Sequence, residues 1–190
     1  METDEPLEAG YGEATPPGDN LCNDFVRGLA DAYSALALAR GDRVFHDEEF
    51  GLCLTDGSSP SMFGNMAVLR RPLNDDDWRR AAERMHGFYG ERAGGSFLLF
   101  SAWPTPDLIA LDFGRIGHPP LMLRLPAPLA VGAIPGVEIR PVTDARGAED
   151  WERTLVEGFP DPDLQPFSAN CFLPEVALGA DRWTYWVAYL

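Results

Sequence analysis

The side chains able to do chemistry are few in this chain and far apart. His46-Asp47-Glu48-Glu49 sets one imidazole beside three carboxylates, a combination that serves metal binding or acid–base chemistry when the groups converge. Consecutive residues of a strand or turn splay apart, so this run reads as a solvated acidic turn. His118 precedes two prolines that hold it extended at a strand start, which suits a structural hydrogen bond better than catalysis. His86 follows Met85 on a helical stretch and reads as a surface or boundary residue. Ser96 and Ser101 flank an apolar run without the GxSxG elbow that would expose a serine nucleophile. Cys22, Cys53 and Cys171 are odd in number and lack zinc spacing, so they read as buried free thiols, and no metal site is expected.

Two stretches hold more. Residues 158–172, GFPDPDLQPFSANCF, combine three prolines, two acids and three aromatics. Asp161 and Asp163 there would attract a cationic amine, with Phe159 and Phe167 as flanking apolar contacts; a plain surface loop is the other reading. Trp183, Tyr185, Trp186 and Tyr189 either line a pocket or, at strand alternation, fill a core.

The elements that must position these residues follow from periodicity and punctuation. Residues 1–19 hold six acids and no base, with three prolines and three glycines, and are expected to be a disordered acidic tail. A helix is expected from Asn20, with Leu21, Phe25, Leu29, Tyr33 and Leu36 on its apolar face and Gly41 as its stop. Strands are expected at 50–55 and 65–71. Asn74 then caps a helix over 75–92 that begins Asp75-Asp76-Asp77 and buries Trp78, Ala81, Ala82, Met85, Phe88 and Tyr89. The continuous apolar run 97–103 reads as a central strand. A short helix over 105–113 and a strand over 120–125 complete a first unit, 20–125. Residues 126–136, rich in proline and glycine, are a connector. A second unit, 137–190, runs strand, helix, irregular segment and a strongly apolar last strand over 183–190. This alternation predicts an α/β fold, a mixed sheet flanked by helices.

The net charge is −15 and every basic residue is arginine. Such an acidic balance excludes a nucleic-acid backbone or an anionic membrane as the expected partner and otherwise serves solubility. No run approaches the ~18 apolar residues of a membrane span. With no basic, then apolar, leader at the N-terminus, the protein is expected in the cytoplasm.

Ile139-Arg140-Pro141-Val142, Asp144, Trp151, Leu155 and Glu157-Gly158-Phe159 together resemble the opening strand and first helix of the GNAT N-acetyltransferase superfamily, and residues 183–190 resemble its second strand. The likeness covers about the last 55 residues. With the first unit and its His118-Pro119-Pro120-Leu121-Met122 and Arg124, the chain resembles the N-terminal portion of a larger two-unit member. The resemblance implies a GNAT-like fold with an incomplete second unit, acetyl-CoA as the cofactor of a complete protein, and a small-molecule or peptide amine as acceptor. It puts Phe159, Asp161, Asp163 and Phe167 on the acceptor side of the cleft.

The family's pyrophosphate loop, [RQ]-x-x-G-x-[GA], uses backbone N–H groups and a helix N-terminus to hold the cofactor. In the second unit it would fall beyond Leu190. Arg84-Met85-His86-Gly87-Phe88-Tyr89 and Arg92-Ala93-Gly94-Gly95-Ser96-Phe97 each end on an aromatic where glycine or alanine is required. When the first unit is laid over the same fold, the loop position is Arg71-Pro72-Leu73-Asn74, with no glycine and three aspartates at the helix start that repel phosphate. No cofactor is therefore expected to bind this chain alone. A non-catalytic α/β binding or assembly module is the competing class. If the chain is a fragment, the last strand would present a free edge for self-association; otherwise it docks beside 137–142.

Overall fold

Residues 17–57, 59–91, 96–117, 134–159 and 162–190 are described by the computed structural model. Helix α1 spans Pro17–Arg40, so the chain is helical three residues before the expected start at Asn20. Residues 1–16 of the acidic tail lie outside the described residues. Strands β1 (Arg43–Asp47), β2 (Leu52–Asp56) and β3 (Asn65–Leu69) form an antiparallel meander; helix α2 (Trp78–Gly90) then crosses over to β4 (Leu98–Ser101), which pairs parallel with β3. The sheet is thus mixed, in the order β1-β2-β3-β4.

β2 and β3 are buried along their whole length because each face has its own cover. Leu52, Leu54, Ala67 and Leu69 pack against Trp78, Ala81, Met85 and Tyr89 of α2. Cys53, Met66 and Val68, on the opposite face by strand alternation, pack against Val26 and Ala30 of α1. The predicted apolar stripe of α1 holds at Leu36, which is buried, and in part at Leu29 and Tyr33, but not in its first turns. Leu21 and Phe25 are 45% and 40% exposed, while Val26, Ala30, Ser34 and Ala37 are buried. Small residues let the helix backbone approach the sheet, and the larger side chains are pushed to the flanks.

Further expectations change. β1 was not anticipated: His46 lies on it, exposed, while Asp47 is buried and accepts from the Phe50 N–H. Asp47 also pairs with Arg84, so the acidic run is partly structural rather than wholly solvated. The apolar run 97–103 yields an edge strand among the described residues, half-buried rather than central. Residues 105–113 contain only a 3₁₀ turn, Ile109–Leu111. Asn74 makes no side-chain capping bond; a 3₁₀ turn, Asp75–Asp77, precedes α2 instead. His118 and the strand expected at 120–125 lie outside the described residues, as does most of the connector.

From residue 138 the elements follow the predicted order of strand, helix, irregular segment and strand. β5 (Glu138–Pro141) leads into α3 (Ala145–Gly158), which Asp144 caps by accepting from the Gly147 N–H at 2.8 Å. The last strand, β6 (Trp186–Tyr189), docks antiparallel beside β5, and the Val142 N–H to Tyr185 carbonyl bond extends the ladder. Val187 and Tyr185 are buried beneath α3, whereas Trp186 and Ile139 remain 55% and 65% exposed on the other face. The core here includes Leu36 of α1, so α1 is a wall common to both sheets.

Candidate functional site

An apolar cavity of about 290 Å³ lies between α1, the β2–β3 connection and α3. Tyr33 and Leu36 of α1 form one side, Ser61 and Phe63 from the β2–β3 connection another, and Trp151, Leu155 and Val156 of α3 face them. Phe159, Leu164, Phe172 and Trp183 close the remainder.

Each wall is held by a specific device. In the β2–β3 connection, Asn65 accepts from the Gly57 N–H and donates to the carbonyls of Ser59, Ser61 and Ser96. A Cβ on Gly64 would come within 2.4 Å of the Ser59 Cβ, so the loop closes only with glycine there. Ser61 Oγ accepts from the Phe63 N–H at 3.2 Å, and the Phe63 ring meets the Phe159 ring edge-on.

On the opposite wall, the buried carboxylate of Glu152 accepts from the backbone N–H groups of Asn170, Phe172 and Leu173 at 2.7, 2.6 and 2.5 Å. A charged acceptor shared by three amides is worth its burial, and it pins the segment that carries Phe172. The same carboxylate, after burial itself, helps to push the Cys171 thiol up. Trp183 donates Nε1–H to the Ala32 carbonyl at 2.6 Å, stacks on Tyr185 and takes the Tyr33 ring edge-on. Arg40 ties distant segments together: it donates to the carbonyls of Phe172 and Gly57, both at 3.1 Å, and pairs with Asp42. It borders a neighbouring void of about 10 Å³, the size of one water.

Chemically the cavity is sparse. Among the described residues that line it, none carries a charge. The Ser61 hydroxyl and the Trp183 indole N–H are engaged as above. Tyr33 has no hydrogen-bond partner among the described residues, and burial raises its pKa, so it stays a neutral phenol. Among the described residues no group of three or more His, Cys, Asp or Glu side chains could hold a metal ion, and no helix is long and apolar enough to cross a membrane.

Of the predicted substrate contacts, Phe159 stands at the cavity, 61% exposed, hence at its rim. Asp163 is exposed on a 3₁₀ turn and does not line it. Phe167 lies under the Arg153 guanidinium, 4.4 Å away, and Asp161 is outside the described residues. Of these four residues, Phe159 alone lines the cavity among the described residues. Sequence reading missed Tyr33, Phe63, Leu155 and Phe172 as cavity residues; their only local signal is apolar character, which core residues share. His86 sits at a boundary as expected, its Nε2 2.9 Å from the Leu111 carbonyl and its ring against Phe97 and Phe113.

Arg71 and the start of α2 mark the place where the resemblance puts a phosphate-binding loop. Arg71 there bonds the carbonyls of Pro72 and Glu49, and Asp77 pairs with Arg80. The helix start is thus furnished with protein carboxylates. Compared with known proteins, the chain matches no family model, no curated protein and no solved structure.

Proposed function

We propose that the chain is the N-terminal portion of a cytoplasmic GNAT-type N-acetyltransferase whose first unit does not bind acyl-CoA, and which is inactive by itself. The observation that carries this reading is the β3–α2–β4 crossover. Its strands are parallel, and a glycine-free, acid-bearing turn stands where the resemblance expects a pyrophosphate loop. The β5–α3–β6 order, with β5 and β6 antiparallel, agrees with the opening of a second such unit. In that reading the complete protein uses acetyl-CoA and an amine acceptor, and Phe159, Asp161, Asp163 and Phe167 face the acceptor.

Calorimetric titration of acetyl-CoA tests it, on this chain and on the product of the whole reading frame. This chain is expected to bind more weakly than about 10 μM, roughly −7 kcal/mol. Tighter binding would overturn the cofactor-less assignment of the first unit. A whole product that lacks a glycine-rich loop after β6, or that also fails to bind, would overturn the acetyltransferase reading.

A second reading, a non-catalytic binding module, is favoured by the cavity, which is roomy but among the described residues holds neither a charged group nor an activated nucleophile. Self-association through β6 belongs to either reading. The exposed Trp186 and Ile139 beside it give a second copy apolar surface to cover. Light scattering would return a monodisperse monomer if this is wrong.

A further inference from the structure

The cavity suits one kind of occupant. Among the described residues its lining is aromatic and aliphatic apart from Ser61, and uncharged. A phosphate, carboxylate or ammonium inside would lose its hydration with no partner in return. Water has little to bind there, because the Ser61 hydroxyl and the Trp183 indole N–H already have protein partners. The pocket, at about 290 Å³ and open on one side, is large enough to take up a small apolar molecule. The walls are pre-formed, since Glu152 and Asn65 fix the segments bearing Phe172 and Phe63 by backbone hydrogen bonds. Such a site, apolar, concave and shaped in advance, with one unused polar group, has the make-up of a small-molecule pocket.

We propose that this cavity binds a compact uncharged apolar molecule, of about two fused rings or a branched chain of about ten carbons, with Tyr33 as its single hydrogen-bonding contact. Phe159 at the rim is the entrance. The inference rests on the cavity and not on the acetyltransferase reading, so its failure leaves that reading untouched.

The test is a titration of the full chain with 2-naphthol, naphthalene and 2-naphthoate, followed by the fluorescence of Trp151 and Trp183 and by calorimetry. Saturable 1:1 binding of 2-naphthol with Kd below about 100 μM is expected, and 2-naphthoate should bind at least about 10-fold more weakly. Leu155→Trp, which fills the cavity, should weaken 2-naphthol by about 10-fold or more. Should that variant fail to fold, Phe159→Asp, at an exposed rim position, should weaken it by about 3-fold or more. Tyr33→Phe should weaken 2-naphthol about 3-fold and leave naphthalene unchanged. The proposal is overturned by absence of saturable binding, by equal affinity for 2-naphthoate, or by binding indifferent to the cavity variants. It is also overturned if light scattering finds a dimer that Phe159→Asp dissolves, for then a second copy fills the cavity.

Discussion

The two sheets of this protein are built by contrasting means. In the first, β2 and β3 are sealed between α1 and α2, and every one of their residues is buried. In the second, β5 is exposed along its length and β6 buries only Val187 fully. The first draws its core from local elements in a β-meander and a crossover. The second must borrow Leu36 from α1 and is fastened by Arg40, by the Trp183–Ala32 bond and by the polar clamp of Glu152. The difference teaches where a pocket arises: a fully covered sheet leaves no room, whereas a half-covered one closes against its neighbour imperfectly and leaves the cavity at the seam.

That contrast can be broken by experiment. Trp78→Ala removes a large buried side chain from the sealed core and should cost about 3–5 kcal/mol in chemical denaturation. A loss below about 1 kcal/mol would mean that the first core does not depend on the α2 face. Glu152→Ala should cost about 3 kcal/mol, because three backbone N–H groups lose a charged acceptor. Hydrogen exchange sharpens the point: residues 138–190 should lose protection in that variant while β2 and β3 keep theirs. Uniform loss would show that the two regions unfold as one.

Trp183→Phe keeps the ring contacts but deletes the hydrogen bond to Ala32, and about 1 kcal/mol should be lost. The smallest effect carries the opposite sign. The Tyr185 hydroxyl is buried without a hydrogen-bond partner, so Tyr185→Phe should stabilise by up to about 1 kcal/mol at pH 8. Burial, opposed by Arg40, pushes the Tyr185 pKa up from 10.0 to about 12. A raised folded-state pKa means stability that is whole below the unfolded value and lost as pH climbs to the folded one. The advantage of the phenylalanine variant should therefore widen between pH 10 and 12. An advantage that is flat across that window, in paired denaturation curves, would place the hydroxyl in contact with water.

What local chemistry dictates was legible from the residues alone. The α2 face beginning at Trp78 and the β5–α3 order both depend on periodicity and on contacts three or four residues apart, which the chain carries wherever it folds. So was the mixed α/β class. The tertiary structure decided what depends on partners distant in sequence. β1, with polar and charged residues at Arg43, His46 and Asp47, becomes a strand only because β2 offers it an edge. The run 97–103 is apolar enough for a central strand, yet among the described residues it lies at the border of the sheet, since only β3 pairs with it. α1 presents Ala30 and Ala37 rather than Leu21 and Phe25 because two sheets compete for its surface, and small residues allow the closest approach. The cavity was the least legible feature. Tyr33, Phe63, Trp151 and Phe172 are separated by up to 139 residues, and an apolar side chain bears no mark of whether its neighbours will fill the space beside it or leave it open.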